Sequence, residues 1–141
     1  MTKVAVVLVR GRVGLQYKVK DTLDLLRLRR KNFCVVLESN SVNLGMINKV
    51  KDFVTWGEIT DETFKQLVSA KAEEWQGRTQ DRKKKYSYKT LEVEGKHYKP
   101  YFRLNPPRKG FGRKGIKMGF KAGGALGNRG EKMNDLIERM I

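Results

Sequence analysis

Three short apolar runs separated by two stretches of helical periodicity open the chain, and that order limits its fold more than any other feature. Residues 3–10, KVAVVLVR, are β-branched and apolar over strand length, which predicts a buried strand. GRVG follows as a turn. YKVKDTLDLLRLRR (17–30) then sets Val19, Leu23 and Leu26 on one helical face, with Asp21 and Asp24 early and Arg27 to Arg30 late, a charge order suited to the helix dipole. NFCVVLE (32–38) reads as a second strand, and SNS (39–41) offers N-caps to a second helix lined by Val42, Met46, Ile47 and Val50. FVTWGEI (53–59) reads as a third strand, weakened by Gly57. A β-α-β-α-β order over sixty residues predicts a layered α/β sandwich with its helices on one face of a small sheet.

Beyond this unit, Thr60 caps a third helix with Asp61 and Glu62 in its first turn and Phe64, Leu67, Val68, Ala72 and Trp75 as its core stripe. Periodicity then stops. GRTQDRKKKYSYK (77–89) reads as part of an exposed basic linker, residues 76–90. TLEVEGKHYKPYFRL (90–104) predicts a hairpin turning at Glu94-Gly95, with Pro100 confining its second arm to an edge or a strand start. A Gly-rich run leads to GEKMNDLIERMI (130–141), a short helix with Met133, Leu136, Ile137 and Met140 inward.

Charge narrows the function. The chain carries 31 Lys and Arg against 15 Asp and Glu, a net +16. Residues 95–130 hold ten Lys or Arg, nine Gly and no Asp or Glu. Solvated faces mix both signs, so a single-sign stretch of this length calls for a polyanion. Val4 to Val9 is too short for a signal sequence or a membrane span, and Arg10 closes it, so a soluble, intracellular protein is expected, with no membrane partner. Cys34 is the only cysteine, which rules out an intrachain disulfide or a cysteine zinc site and suits a reducing compartment.

GFGRKG (110–115) spells G-x-G-x-x-G, but the dinucleotide loop needs a buried strand before it and a helix after it. Here Pro106-Pro107 precedes it, IKMGFKAGGALG follows, and Ile116 stands where a phosphate-loop lysine belongs. No cofactor is expected. His97, the only histidine, has no metal-ligand partner spacing, Cys34 reads as core, and the carboxylates stand singly, so no enzyme is expected. Nucleic-acid binding uses more of the sequence. Arg and Lys supply phosphate contacts, and Phe111, Phe120, Tyr98 and Tyr101 offer stacking rings or ordinary packing. The Gly-rich segment reads as a glove that orders only on its partner, so removing 106–130 is expected to leave the core folded. Folded RNA suits such a glove better than DNA, because no recognition-helix or zinc-finger pattern is present.

Five blocks carry a family resemblance: VRGRVG (9–14), DTLDLLRLRRKNFCVVL (21–37), GMINKVKDFVTWGEI (45–59), FRLNPPRKGFGRKGIK (102–117) and GGALGNRGEKMNDLIERMI (123–141). In this order they resemble the archaeal form of large-subunit ribosomal protein thirty, a family shared with eukaryotic large-subunit ribosomal protein seven. The resemblance implies an α+β fold, with a ferredoxin-like core and three-stranded antiparallel sheet in residues 1–60. It also implies an archaeal and eukaryotic-type extension, 61–141, packed on that core, with helix, hairpin, a Gly-rich RNA-binding arm (103–130) and a terminal helix. Asn105 departs from the family pattern, which carries His there.

The function so implied is that of a structural constituent of the large ribosomal subunit in the cytoplasm. One copy per ribosome would bind 23S rRNA near 5S rRNA, beside neighbouring ribosomal proteins; an extra-ribosomal RNA-binding regulator or chaperone is the alternative. The implied first RNA surface has Arg10 and Arg12 in the first turn, with Gly45, Lys49 and Lys51 on the second helix. Arg29, Arg30 and Lys31 either join it or serve the helix dipole. Gly45 marks either a close approach of RNA backbone or tight helix–sheet packing. The second surface has Arg103, Arg108, Lys109 and Arg113, then Lys114, Lys117, Lys121 and Arg129.

Overall fold

The computed structural model describes residues 3–78, 80–85 and 90–141. The remainder of the predicted 76–90 linker, residues 79 and 86–89, lies outside the described residues. In chain order the elements are β1 (Lys3–Leu8), α1 (Tyr17–Leu25), β2 (Phe33–Glu38), α2 (Ser41–Lys49), β3 (Val54–Ile59), α3 (Asp61–Lys71), β4 (Leu91–Val93), β5 (Lys96–Tyr98), β6 (Phe102–Arg103), β7 (Gly127–Asn128) and α4 (Met133–Met140).

The ferredoxin-like β-α-β-α-β core is present. β1 runs antiparallel between β2 and β3, with Val6 opposite Val35 on one side and Trp56 on the other. The extension then lengthens this sheet at both edges. β6 pairs antiparallel with β2 and β7 pairs parallel with β3, giving the order β6-β2-β1-β3-β7.

Helices cover both faces of the sheet, not one as the alternation of elements suggests. Val4, Val6 and Leu8 pack with Leu23 and Leu26 of the α1 region and with Ile47 and Val50 of the α2 region. Ala5 and Val7 point the other way, into Phe64 and Leu67 of α3 and Leu136 and Ile137 of α4. Alternate residues of a strand face opposite sides, so a strand apolar at every position needs cover on both. Leu67, Leu136, Ile137 and Met140 are fully buried, worth roughly 1.5–3 kcal/mol each. All four expected inward residues of α4 are buried.

α1 stops five residues short of the expected end. Arg27 takes a left-handed φ of 65°, and Leu28 N–H closes back on Leu23 O at 2.9 Å. That turn delivers Leu28 to full burial. The helix therefore has no acid in its first turn and no base in its last, so the dipole argument for Asp21, Asp24 and Arg27–Arg30 fails. On α2, Asn40 is the N-cap, its side chain accepting from Asn43 N–H at 2.8 Å. At 3.6 residues per turn, Val42 falls well round the helix from Ile47 and Val50, and it is 70% exposed.

Thr60 caps α3 as expected, but the helix ends at Lys71, so Trp75 leaves the predicted stripe. Its backbone N–H donates to His97 O at 2.9 Å, beside a bridge between Glu74 and Tyr98, and its indole Nε1–H donates to Arg78 O at 3.0 Å. The β4–β5 hairpin turns on Glu94 and Gly95, both at positive φ, as a tight primed turn requires. The predicted second arm is split after Tyr98. Pro100 interrupts it, and Phe102 continues in the large sheet, where Tyr101 stacks on Phe33 at a centroid distance of 5.3 Å.

Gly57 is a close approach rather than a weak point. A Cβ there would collide with the Gly130 carbonyl and sit 2.7 Å from Met133 Cβ, so only glycine lets the start of α4 lie on β3.

Candidate nucleic-acid interface

Strand direction gathers the expected basic loops at one end of the sheet. β1 ends there at Leu8, whose carbonyl accepts from Asn32 N–H at 2.8 Å, holding the loop of Arg29, Arg30 and Lys31 against it. The connection from α2 to β3 reaches the same end, where Phe53 O accepts from Val9 N–H and Arg10 N–H at 3.0 and 3.2 Å. Lys49 lies in the last turn of α2 and Lys51 in the turn after it rather than on the helix. The opposite end of the sheet is acidic. Glu38 and Ile59 pair with Lys3, Glu58 pairs with Val4, and Asp61 lies 3.6 Å from Lys3 Nζ. The exposed cations of these loops and the carboxylates Glu38, Glu58 and Asp61 thus lie at opposite ends of the strands.

Within the basic end the residues differ. Arg10 lies over the Phe53 ring, 5.1 Å from its centroid, and its Nη1 is 3.4 Å from Asp52 O. Arg12 is half-buried, pairs with Asp24 Oδ1 at 2.8 Å and reaches the carbonyls of Lys20 and Arg29. It braces the loop, and its Nε is buried without a protein acceptor. Arg29, Arg30, Lys31, Lys49 and Lys51 are exposed. Gly45 is exposed too, and a Cβ there would meet nothing within 4 Å, so tight helix–sheet packing does not account for it. Val13 (98% exposed) lines a shallow surface with Arg12 and Arg29, and Tyr17 is 70% exposed at the start of α1; nothing in their periodicity singled them out.

The Gly-rich segment is not a loose glove. It joins the same end of the sheet through a small core of Val9, Ala125 and Leu126, with Phe111 and Ile116 packed against it. A Cβ on Gly112 would strike Gly124 O, and one on Gly124 would strike Met118 O. These two glycines let the segment fold on itself. The G-x-G-x-x-G spacing serves that crossing, with Gly110 and Gly115 at positive φ.

The second set of basic residues splits accordingly. Arg113, Lys114, Lys117 and Lys121 are exposed and take no part in an ion pair among the described residues. Arg108 and Lys109 sit on a turn held by Arg139, whose Nη1 donates to Arg108 O at 3.0 Å and Gly110 O at 2.6 Å. Sequence reasoning missed Arg139; its one signal is the i,i+4 spacing from Asp135. Arg103 Nε donates to Glu73 Oε1 at 2.6 Å, with Lys99 Nζ 3.2 Å from Oε2. Burial pushes the Glu73 carboxyl up, but the hydrogen bonds and charges of Arg103 and Lys99 outweigh it and hold the carboxyl below its usual range.

Arg129 is only 6% exposed. Its Nε donates to Thr55 Oγ1 at 2.8 Å, and its Nη2 to Phe111 O and Ala125 O at 2.8 and 3.0 Å. Burial, and then the positive charge of Arg139, bring its pKa down to about 10. It remains a cation at neutral pH, committed to the fold.

Cys34 is fully buried and burial pushes its thiol up to about 12, which suits a core residue. Among the described residues no group of three His, Cys, Asp or Glu is placed to hold a metal, and no helix is long and apolar enough to cross a membrane.

Residues 4–54 match the family model for ribosomal protein L30p/L7e. The chain is 42% identical to the large ribosomal subunit protein uL30 of Nanoarchaeum equitans, with all of both chains covered. The uL30 of Methanopyrus kandleri is 40% identical, with 94% of this chain and 99% of the relative covered. That of Methanococcus maripaludis is also 40% identical, with 97% and 98% covered. The match to the Nanoarchaeum equitans relative covers the extension as well as the core, and the chain belongs to the uL30 family of large ribosomal subunit proteins.

Proposed function

We propose that this chain is a structural constituent of the large ribosomal subunit that binds large-subunit rRNA through the basic end of its sheet and catalyses nothing. The observation that carries the reading is the convergence of three core loops and the Gly-rich segment on one end, with the carboxylates Glu38, Glu58 and Asp61 at the other. Residues 1–60 act as the primary rRNA-binding unit, which fits the span of the family model. Residues 61–141 add a second contact surface from Arg108 to Lys121. The contact region lies near 5S rRNA, with one copy per ribosome and other ribosomal proteins as neighbours.

Exposed Lys and Arg without carboxylate partners neutralise phosphates, and Gly45 admits backbone where any side chain would stand off. Sedimentation of cell extract tests the proposal. The chain should travel with large subunits and stay with them through a moderate salt wash; recovery in the soluble fraction would contradict it.

A further inference from the structure

Between the Gly-rich segment and α4 the surface opens into a cleft of about 510 Å³. Five cations line it, Lys109, Arg113, Arg129, Lys132 and Arg139, against the single carboxylate of Asp135. Arg139 Nε engages that carboxylate at 3.1 Å, and Arg139 Nη1 holds the rim through the carbonyls of Arg108 and Gly110. Arg129 is turned into the fold. Lys109, Arg113 and Lys132 are left without a protein carboxylate among the described residues. Two half-buried rings, Phe111 and Phe120, complete the walls. The Arg129 guanidinium and Lys132 Nζ lie 4.7 and 5.6 Å from the Phe120 centroid.

A concave surface with this excess of positive charge repels itself until an anion enters. The rings make a bare inorganic anion a poor fit, because flat apolar area beside cations suits a base or ribose joined to a phosphate. The volume lies within the roughly 300–1,000 Å³ of small-molecule sites, which suits one unstacked residue and excludes a duplex. We propose that the cleft receives a single unpaired nucleotide of the bound RNA, its phosphate held by Lys109, Arg113 and Lys132 and its base or ribose laid against Phe111 and Phe120. The inference rests on the RNA-binding reading above and assigns a discrete subsite within it.

The test uses isotopically labelled full-length chain titrated with adenosine 5′-monophosphate, adenosine and inorganic phosphate, followed by amide chemical shifts. The monophosphate should shift amides in 109–113, 120 and 132–139 saturably, and more strongly than either part alone. The double variant K109Q/R113Q should weaken it at least about tenfold, the loss expected for one charge-assisted hydrogen bond. Phe120→Leu should weaken the monophosphate severalfold and leave inorganic phosphate unchanged. Scattered shifts, or K109Q/R113Q binding as tightly as wild type, would overturn the proposal. So would inorganic phosphate matching the monophosphate with Phe120→Leu silent, since that describes an anion site only. Should Phe120→Leu lose its dispersed spectrum, the double variant at exposed positions decides alone. Filter binding to large-subunit rRNA separates the two readings: rRNA retained with no monophosphate response overturns the cleft alone, whereas a monophosphate response with no rRNA retained overturns the rRNA reading and, with it, RNA as the source of the cleft's nucleotide.

Discussion

Arg129 Nε donates to Thr55 Oγ1 at 2.8 Å across 74 positions of sequence, from the last turn before α4 to the start of β3. One guanidinium thereby ties the sheet to the Gly-rich segment, since its Nη2 also holds the carbonyls of Phe111 and Ala125. Arg129→Ala should cost about 3 kcal/mol, the loss of buried charge-assisted hydrogen bonds with their acceptors left unpaired. Arg113→Gln on the exposed side of the same segment should stay within about 0.5 kcal/mol. Urea unfolding of the two variants checks this; equal stability would return Arg129 to the surface. By the same hydrogen bonds, removing residues 106–130 should destabilise the core instead of sparing it.

Gly45 separates folding from binding. With open space where its Cβ would stand, Gly45→Ala should stabilise the protein by up to about 1 kcal/mol through helix propensity. The same substitution should weaken rRNA binding if backbone passes close to α2. Thermal melting and filter binding on one preparation read the two effects, which should have opposite signs.

Gly57 works the other way. Gly57→Ala drives a methyl into Gly130 O and Met133 Cβ, an overpacking that should cost about 1–3 kcal/mol. Its unfolding midpoint should fall, whereas Gly45→Ala raises it.

Much of this was legible in residues 3–60. Val4 to Val9 announced a buried strand, but the alternation of elements suggested helices on one face only, whereas a strand apolar at every position needs cover on both. Thr60 and Glu94-Gly95 marked a cap and a turn because their chemistry is local. Arg27 was hidden, since its left-handed turn is imposed by burial of Leu28 and not by any residue preference nearby. β6 and β7 have two residues each, too short for any period, and depend on edges that only the folded core offers. The family resemblance assigns Arg129 to the RNA surface, but its burial depends on Thr55, Phe111 and Ala125, partners that only the folded chain brings together. The cations of the candidate interface are exposed as a basic composition suggests, and their convergence on one end follows only from strand direction.

The Glu73 cluster carries a pH dependence. Its folded carboxyl lies below the usual range through Arg103 and Lys99, and the unfolded value is about 4.3. A depressed folded pKa means the unfolded state binds the proton more readily, so the contribution is full above the unfolded value and fades as pH falls through the folded one. The stability difference between wild type and Glu73→Gln should be present near neutrality and shrink below about pH 4. A difference that is flat with pH would show that these ion pairs add nothing to stability.

The most direct measurement is the salt dependence of affinity for large-subunit rRNA, compared between wild type and R29Q/R30Q/K31Q at the basic end. The log–log slope for wild type should be steep, and the triple variant should reduce it by about 0.7–0.9 for each phosphate that is no longer neutralised, while Lys65→Gln on α3 leaves it unchanged. A flat wild-type response, or a triple variant with the wild-type slope, would contradict the assignment of this end of the sheet to RNA.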